Sequence, residues 1–139
     1  MATRSIIGQV QEEGNIKAIY CHYDGYLSGV GQTLAEHYSN PEKVTALMNL
    51  GDLSSLREEI GEKHDFNTTP EEPWCTAYGR DRGETGIEAK EFKTVEELIQ
   101  YGNEAGAEFI YLFGDAEGWN YYEPNTRFKK IKPSNLVEA

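Results

Sequence analysis

The amino-acid sequence predicts an α+β protein: a mostly antiparallel sheet of five or six strands with helices packed on one face. Two observations carry this expectation. Strand patterns come as hairpin pairs towards both ends of the chain, and most helical patterns lie in one block between them. The resulting order, β-β-α-α-α-β-β-α-β-β, groups strands with strands and helices with helices, which points away from a doubly wound parallel sheet.

Arg4 to Gln11 reads as the first strand. Glu12-Glu13-Gly14-Asn15 reads as a turn, because Gly and Asn tolerate positive φ. Ile16 to Tyr23 is the return strand, with Ile16, Ala18, Tyr20 and His22 on one face, and Asp24-Gly25 closes it. Val30, Leu34 and Tyr38 recur at helical spacing and predict a helix from Gly29 to Tyr38. Asn40-Pro41 starts a second helix carrying Val44, Leu47 and Met48 and stopping near Gly51. Ser55-Leu56-Arg57-Glu58 has the form of a capping box and predicts a short third helix to Gly61. Glu62 to Pro73 reads as an irregular connection, and Trp74 to Tyr78 as a strand. Gly79 to Gly86 reads as a charged loop bounded by glycines, and Ile87 to Phe92 as a strand. Thr94-Val95-Glu96-Glu97 is a second capping box, opening a helix with Val95, Leu98 and Ile99 inward. Glu108 to Phe113 is the most hydrophobic run and reads as a central strand; Asp115 to Gly118 turns into a last strand, Trp119 to Glu123.

At 139 residues, with 38% hydrophobic and 12% aromatic content, residues 1–126 form one expected domain and 127–139 a short basic tail. That tail holds Arg127, Lys129, Lys130 and Lys132 against Glu138, a local +3; the remaining residues carry −14 of the formal net charge of −11. Such acidity argues against direct contact with nucleic acid or with anionic membrane, and fits either a partner with a basic surface or plain solubility. The N-terminus shows no apolar signal core, and no apolar run approaches the roughly 18 residues of a membrane span, so a cytoplasmic chain is expected. Cys21 and Cys75 fit no ligand spacing and read as half-buried thiols, while His22, His37 and His64 are scattered; neither metal nor cofactor is expected.

Three stretches could carry chemistry. His22 and Asp24 lie two apart on a strand pattern and so share a face, as a base and its orienting carboxylate or as a local turn pair. Arg80 and Arg82, on a glycine-bounded loop and together with Arg4, are candidates to grip phosphate or carboxylate. Gly25-Tyr26-Leu27-Ser28-Gly29-Val30-Gly31 leads into a helix, where free N–H groups attract anions, but it completes neither the dinucleotide fingerprint nor the P-loop. No nucleophile elbow or complete triad motif stands in the sequence, and no catalytic residue is assigned.

Thr3–Gly8 (TRSIIG), Ala18–Tyr26 (AIYCHYDGY), Gly29–Gly31 (GVG), His37–Val44 (HYSNPEKV), Leu50–Leu56 (LGDLSSL), Ala77–Glu84 (AYGRDRGE) and Ala107–Phe113 (AEFIYLF) together give the chain its family resemblance. It resembles a family of small proteins encoded by bacteriophages and prophages. The resemblance spans most of the chain and attaches no activity or catalytic residue. It implies an accessory viral product, of the kind that binds a host protein or sequesters a small signal molecule, working in the host cytoplasm.

The first functional reading is therefore a non-enzymatic acidic binding protein, a phage inhibitor of a host defence or nucleic-acid-handling protein that acts by occlusion. Glu58, Glu59, Glu62, Asp65, Glu96 and Glu97 are its candidate partner-binding residues. The second is a protein that binds or sequesters a nucleotide-like or phosphorylated ligand through Arg4, His22, Asp24, Tyr26, Arg80 and Arg82. The third is a small hydrolase using His22 and Asp24. Self-association stays open.

Overall fold

Two short strands and a glycine turn begin the sheet. β1 (Ser5–Val10) and β2 (Ile16–Cys21) pair antiparallel in unbroken register from Ser5↔Cys21 to Val10↔Ile16. The turn closes through Gln11 N to Asn15 O, 2.7 Å, with Gly14 at φ +95, a conformation that a side chain would strain. The structure is a computed structural model that describes residues 3–68, 70–114 and 118–123, and the backbone alone for 129–131.

The other strands flank this hairpin on both sides. β3 (Leu53–Ser55), β4 (Thr76–Ala77), β5 (Lys90–Phe92), β6 (Phe109–Gly114), β7 (Gly118–Glu123) and β8 (Lys129–Ile131) complete one eight-stranded sheet, ordered β4-β3-β2-β1-β6-β7-β8, with β5 also on β2. The outer edge of β2 is thus divided: Ile16–Ala18 pairs β5, and Cys21 pairs Leu53 of β3. The sheet is mixed rather than mostly antiparallel, because β6 runs parallel to β1 (Ser5↔Phe109 to Gln9↔Phe113) and β3 parallel to β2.

Helices cover both faces, not one. Ile7, Ile19, Tyr111 and Phe113 point to the face where α1 (Gln32–His37) and α2 (Pro41–Leu50) bring Leu34, Tyr38, Val44 and Leu47. Ile6, Ile16, Ala18, Ile110 and Leu112 point the other way, against Leu98 and Ile99 of α4 (Val95–Glu104). The run Phe109–Phe113 is apolar without alternation because β6 is covered on both sides, as parallel strands are.

Local signals hold where nothing competes with them. Asn40 Oδ1 accepts from Glu42 N at 2.8 Å with Pro41 in the first turn, and Thr94 Oγ1 accepts from Glu97 N at 3.1 Å. The expected third helix at Ser55 does not form. There, Glu59 N donates to Pro73 O and Cys75 N to Glu59 O, both 2.9 Å, so a strand-like pairing takes the backbone groups a helix would need. The expected charged loop at Gly79 begins instead as α3 (Tyr78–Arg82), ended by Gly83 at φ +75. The expected helix from Gly29 starts as a π-helical turn, Leu27–Gly31, and then continues as α1. Of the expected basic tail, Lys129–Ile131 pairs with β7; its other residues, like the Asp115–Glu117 part of the last turn, lie outside the described residues.

Candidate functional site

The C-terminal ends of β2 and β3 and the start of β4 meet at one end of the sheet, where a braced loop and a small pocket lie side by side. The loop follows β2. Asp24 adopts φ +59, the one non-glycine residue with positive φ among those described. Three backbone carbonyls hold it there. Gly25 N donates to Thr3 O (2.8 Å), Val30 N donates to Asp24 O (2.8 Å), and the buried Tyr111 hydroxyl donates to Gly25 O (2.6 Å). Gly25 has no room for a side chain, since a Cβ would sit 2.7 Å from Thr3 O and 2.8 Å from Ser5 Cβ. This rigid turn presents Tyr23 and Tyr26, which are 47% and 43% exposed, more than any other large apolar side chain described.

Beside the loop is a pocket of about 200 Å³, lined by Tyr23, Ser54, Ser55, Arg57, Phe66, Asn67, Thr68, Pro70 and Thr76. Arg57 is the one charged residue among them, and its guanidinium has no hydrogen-bond or ion-pair partner among the described residues. Arg57 is set by its backbone: its carbonyl accepts from Tyr38 Oη at 2.8 Å, and its N–H points at Cys75 Sγ at 3.4 Å. Burial pushes the Cys75 thiol up, and the Cys21 thiol up to about 12, so neither is a ready nucleophile.

A polar network runs from this pocket into the interior. Thr76 Oγ1 lies 3.2 Å from His64 Nε2; His64 Nδ1 lies 2.9 Å from Glu62 O and 3.6 Å from Asp81 Oδ1. The Asp81 carboxylate also accepts from Ala77 N (2.8 Å), His64 N (3.0 Å) and the Arg80 guanidinium (3.0 and 3.1 Å). Burial pushes this carboxyl up, but the Arg80, Ala77 and His64 hydrogen bonds outweigh it and hold it below the usual carboxylate range.

These contacts redistribute the residues expected from sequence. His22 and Asp24 do not act as a side-by-side pair. The strand ends at Cys21, His22 Nδ1 meets Tyr20 Oη at 2.7 Å, and Asp24 Oδ1 accepts from Tyr26 Oη at 3.2 Å, which raises the Tyr26 hydroxyl. Arg4, Arg80 and Arg82 do not converge. Arg4 stands exposed at the start of β1, with a guanidinium nitrogen near Gly106. Arg80 is spent inside the fold, donating to Ile60 O and Cys75 O (both 2.8 Å) besides Asp81. Arg82 pairs with Glu84 and lies 4.7 and 4.8 Å over the Phe66 and Tyr78 rings. The acidic candidates also divide. Glu58, Glu59, Glu62 and Asp65 follow β3, where the Glu58 carbonyl is held by Lys43 of α2, whereas Glu96 and Glu97 belong to α4 on the opposite face, with Glu97 Oε1 accepting from Lys93 N.

Sequence reasoning did not single out Tyr23, Arg57, His64 or Thr76 as candidate site residues. No local spacing announces them, since His64 and Thr76 are brought together by the pairing of Glu59 with Trp74 and by Asp81, which accepts from both His64 N and Ala77 N. A larger concavity, about 460 Å³, lies at the hairpin end of β1 and β2 between Glu12, Lys17 and Glu42, where the Gln9 amide is used to hold Pro41 O and Thr45. Among the described residues no helix is long and apolar enough to cross a membrane, and no group of three or more His, Cys, Asp or Glu is placed to hold a metal. No family model, curated protein or solved structure matches the chain.

Proposed function

We propose that this protein is a binding protein whose recognition surface is the end of the sheet that carries Tyr23, Asp24 and Tyr26. The braced loop carries the reading. Two exposed tyrosines stand on a backbone fixed by hydrogen bonds from Gly25, Val30 and Tyr111. Tyrosine offers contact area with a polar tip, and a rigid mount lowers the ordering cost of docking. The partner is a protein with a basic surface, as the net charge of −11 favours, and the family resemblance supports a host target occluded by a phage product. With Glu58, Glu59 and Glu62 on a different face from Glu96 and Glu97, the acidity steers encounter, and the tyrosine loop supplies the contact.

The experiment is affinity capture from host extract with wild type, the Tyr23→Ala/Tyr26→Ala double variant and the Glu58→Lys/Glu59→Lys/Glu62→Lys triple variant. The reading expects the tyrosine variant to lose the partner and stay folded, and the charge variant to slow association in a salt-dependent way. A partner retained equally by all three contradicts it.

Arg57 favours a second reading, a small anionic ligand in the adjacent pocket. An uncompensated cation among serine and threonine hydroxyls suits a phosphate or carboxylate carrying at most one ring between Tyr23 and Phe66. At about 200 Å³ the pocket lies below the roughly 300–1,000 Å³ of typical small-molecule sites.

A further inference from the structure

The His64–Thr76 contact has a direction that geometry dictates. His64 Nδ1 faces the Glu62 carbonyl at 2.9 Å and the Asp81 carboxylate at 3.6 Å, groups that can only accept. In the neutral imidazole the proton therefore sits on Nδ1. Nε2 is left with its lone pair towards Thr76 Oγ1 at 3.2 Å, and the threonine hydroxyl donates into it. The result is a hydroxyl on a base, with the base oriented by the Glu62 carbonyl and a fully buried carboxylate 3.6 Å from the same nitrogen, and Thr76 lines the pocket together with Arg57. Two segments contribute, the continuous β4–α3 stretch with Thr76 and Asp81 and the connection that carries His64, so no single turn motif or helix cap brings His64 to Thr76.

We infer that Thr76, His64 and Asp81 form a hydrolytic centre for short carboxylic esters that opens into the Arg57 pocket. Thr76 Oγ1 attacks the ester carbonyl carbon while His64 Nε2 takes the hydroxyl proton. The tetrahedral oxyanion develops in a pocket whose one charged residue, Arg57, is positive. Collapse breaks the bond to the alcohol oxygen, and His64 returns the proton to that leaving group, giving the free alcohol and an acyl-threonine. Water then attacks the acyl carbon, again losing its proton to Nε2. The threonine oxygen leaves, takes back that proton and releases the carboxylic acid. The Glu62 carbonyl accepts the Nδ1 proton, and Asp81, which accepts from the His64 backbone N–H, lies 3.6 Å from that nitrogen with its negative charge; both are positioning groups. The pocket volume of about 200 Å³ restricts the acyl part to a short chain. Tyr26 and Asp24 do not line the pocket, but Tyr23 belongs both to it and to the proposed docking surface, so the ester assay is run on the free protein, where docking plays no part.

The test uses p-nitrophenyl acetate with the full chain, reading turnover by release of nitrophenolate and the acyl-enzyme by intact and peptide mass after rapid acid quench. Turnover above buffer, with an acetyl group on the Thr76 peptide, is expected. Thr76→Val, which keeps shape, and His64→Gln are each expected to lose about a hundredfold or more. Thr76→Ser retains turnover and labelling, so a loss in Thr76→Val is not one of folding, which circular dichroism also monitors. No turnover and no acetylated Thr76 in the wild type overturn the inference, as does turnover surviving in Thr76→Val. Thermal shift by acetate or phosphate, lost in Arg57→Gln, reports separately on whether the pocket binds anions at all.

Discussion

The hydroxyl of Tyr111, on the central parallel strand, donates to the carbonyl of Gly25 at 2.6 Å across 86 positions of sequence. This bond fastens the Tyr23–Tyr26 loop to the interior of the sheet. Tyr111→Phe leaves that carbonyl without its buried donor and is expected to cost about 1–2 kcal/mol in urea unfolding. Amide exchange in residues 22–31 should rise more than in α4. A loss of stability with unchanged exchange in the loop would mean that Tyr111 supports the sheet but not the loop.

Asp24 is expected to separate conformation from side-chain chemistry. At φ +59, Asp24→Gly removes the backbone strain and is expected to leave stability within about 0.5 kcal/mol of wild type. Asp24→Val is expected to cost about 1–2 kcal/mol, because a β-branched residue resists this region. Gly25→Ala, whose Cβ would sit 2.7 Å from Thr3 O, is expected to be at least as damaging. Thermal unfolding of the three variants gives the ranking, and an Asp24→Val as stable as Asp24→Gly contradicts it.

Asp81 sets an acid limit on stability. Its carboxyl titrates lower in the folded chain than in the unfolded one, so its contribution is complete above the unfolded value, near pH 4, and disappears as pH falls through the folded value. Asp81→Asn leaves Arg80 without its charge partner and is expected to cost about 2–4 kcal/mol at pH 7. The variant should also lose less stability than wild type between pH 5 and pH 2. Parallel curves for the two proteins would remove Asp81 from the acid transition.

Much of the fold was legible where the signal is local. The Gly14 turn, the Asn40-Pro41 start and the Thr94 cap form as their residues imply, with the Glu97 side chain reaching back to Lys93 N, since each depends on neighbours within a few positions. The similar pattern at Ser55–Glu58 misleads because Glu59 finds distant strand partners in Pro73 and Cys75. The parallel pairing of β1 with β6 had no sequence mark, for it joins segments about a hundred residues apart. The same limit hid the candidate site. Arg80 and Arg82 stood out as anion-clamp candidates because their alternation with Asp81 and Glu84 was visible, while the burial of Asp81, through which it claims Arg80, was not. Arg57 and Thr76 reach their pocket only once β3 and β4 are paired.

Photo-crosslinking in cells that express the protein tests the proposed recognition surface most directly. A benzophenone side chain is placed at Tyr23 in one variant and at Glu96, on the α4 face, in another. The account predicts a discrete crosslinked partner protein from position 23 and none from position 96. The same partner captured from position 96 and not from 23 would contradict it.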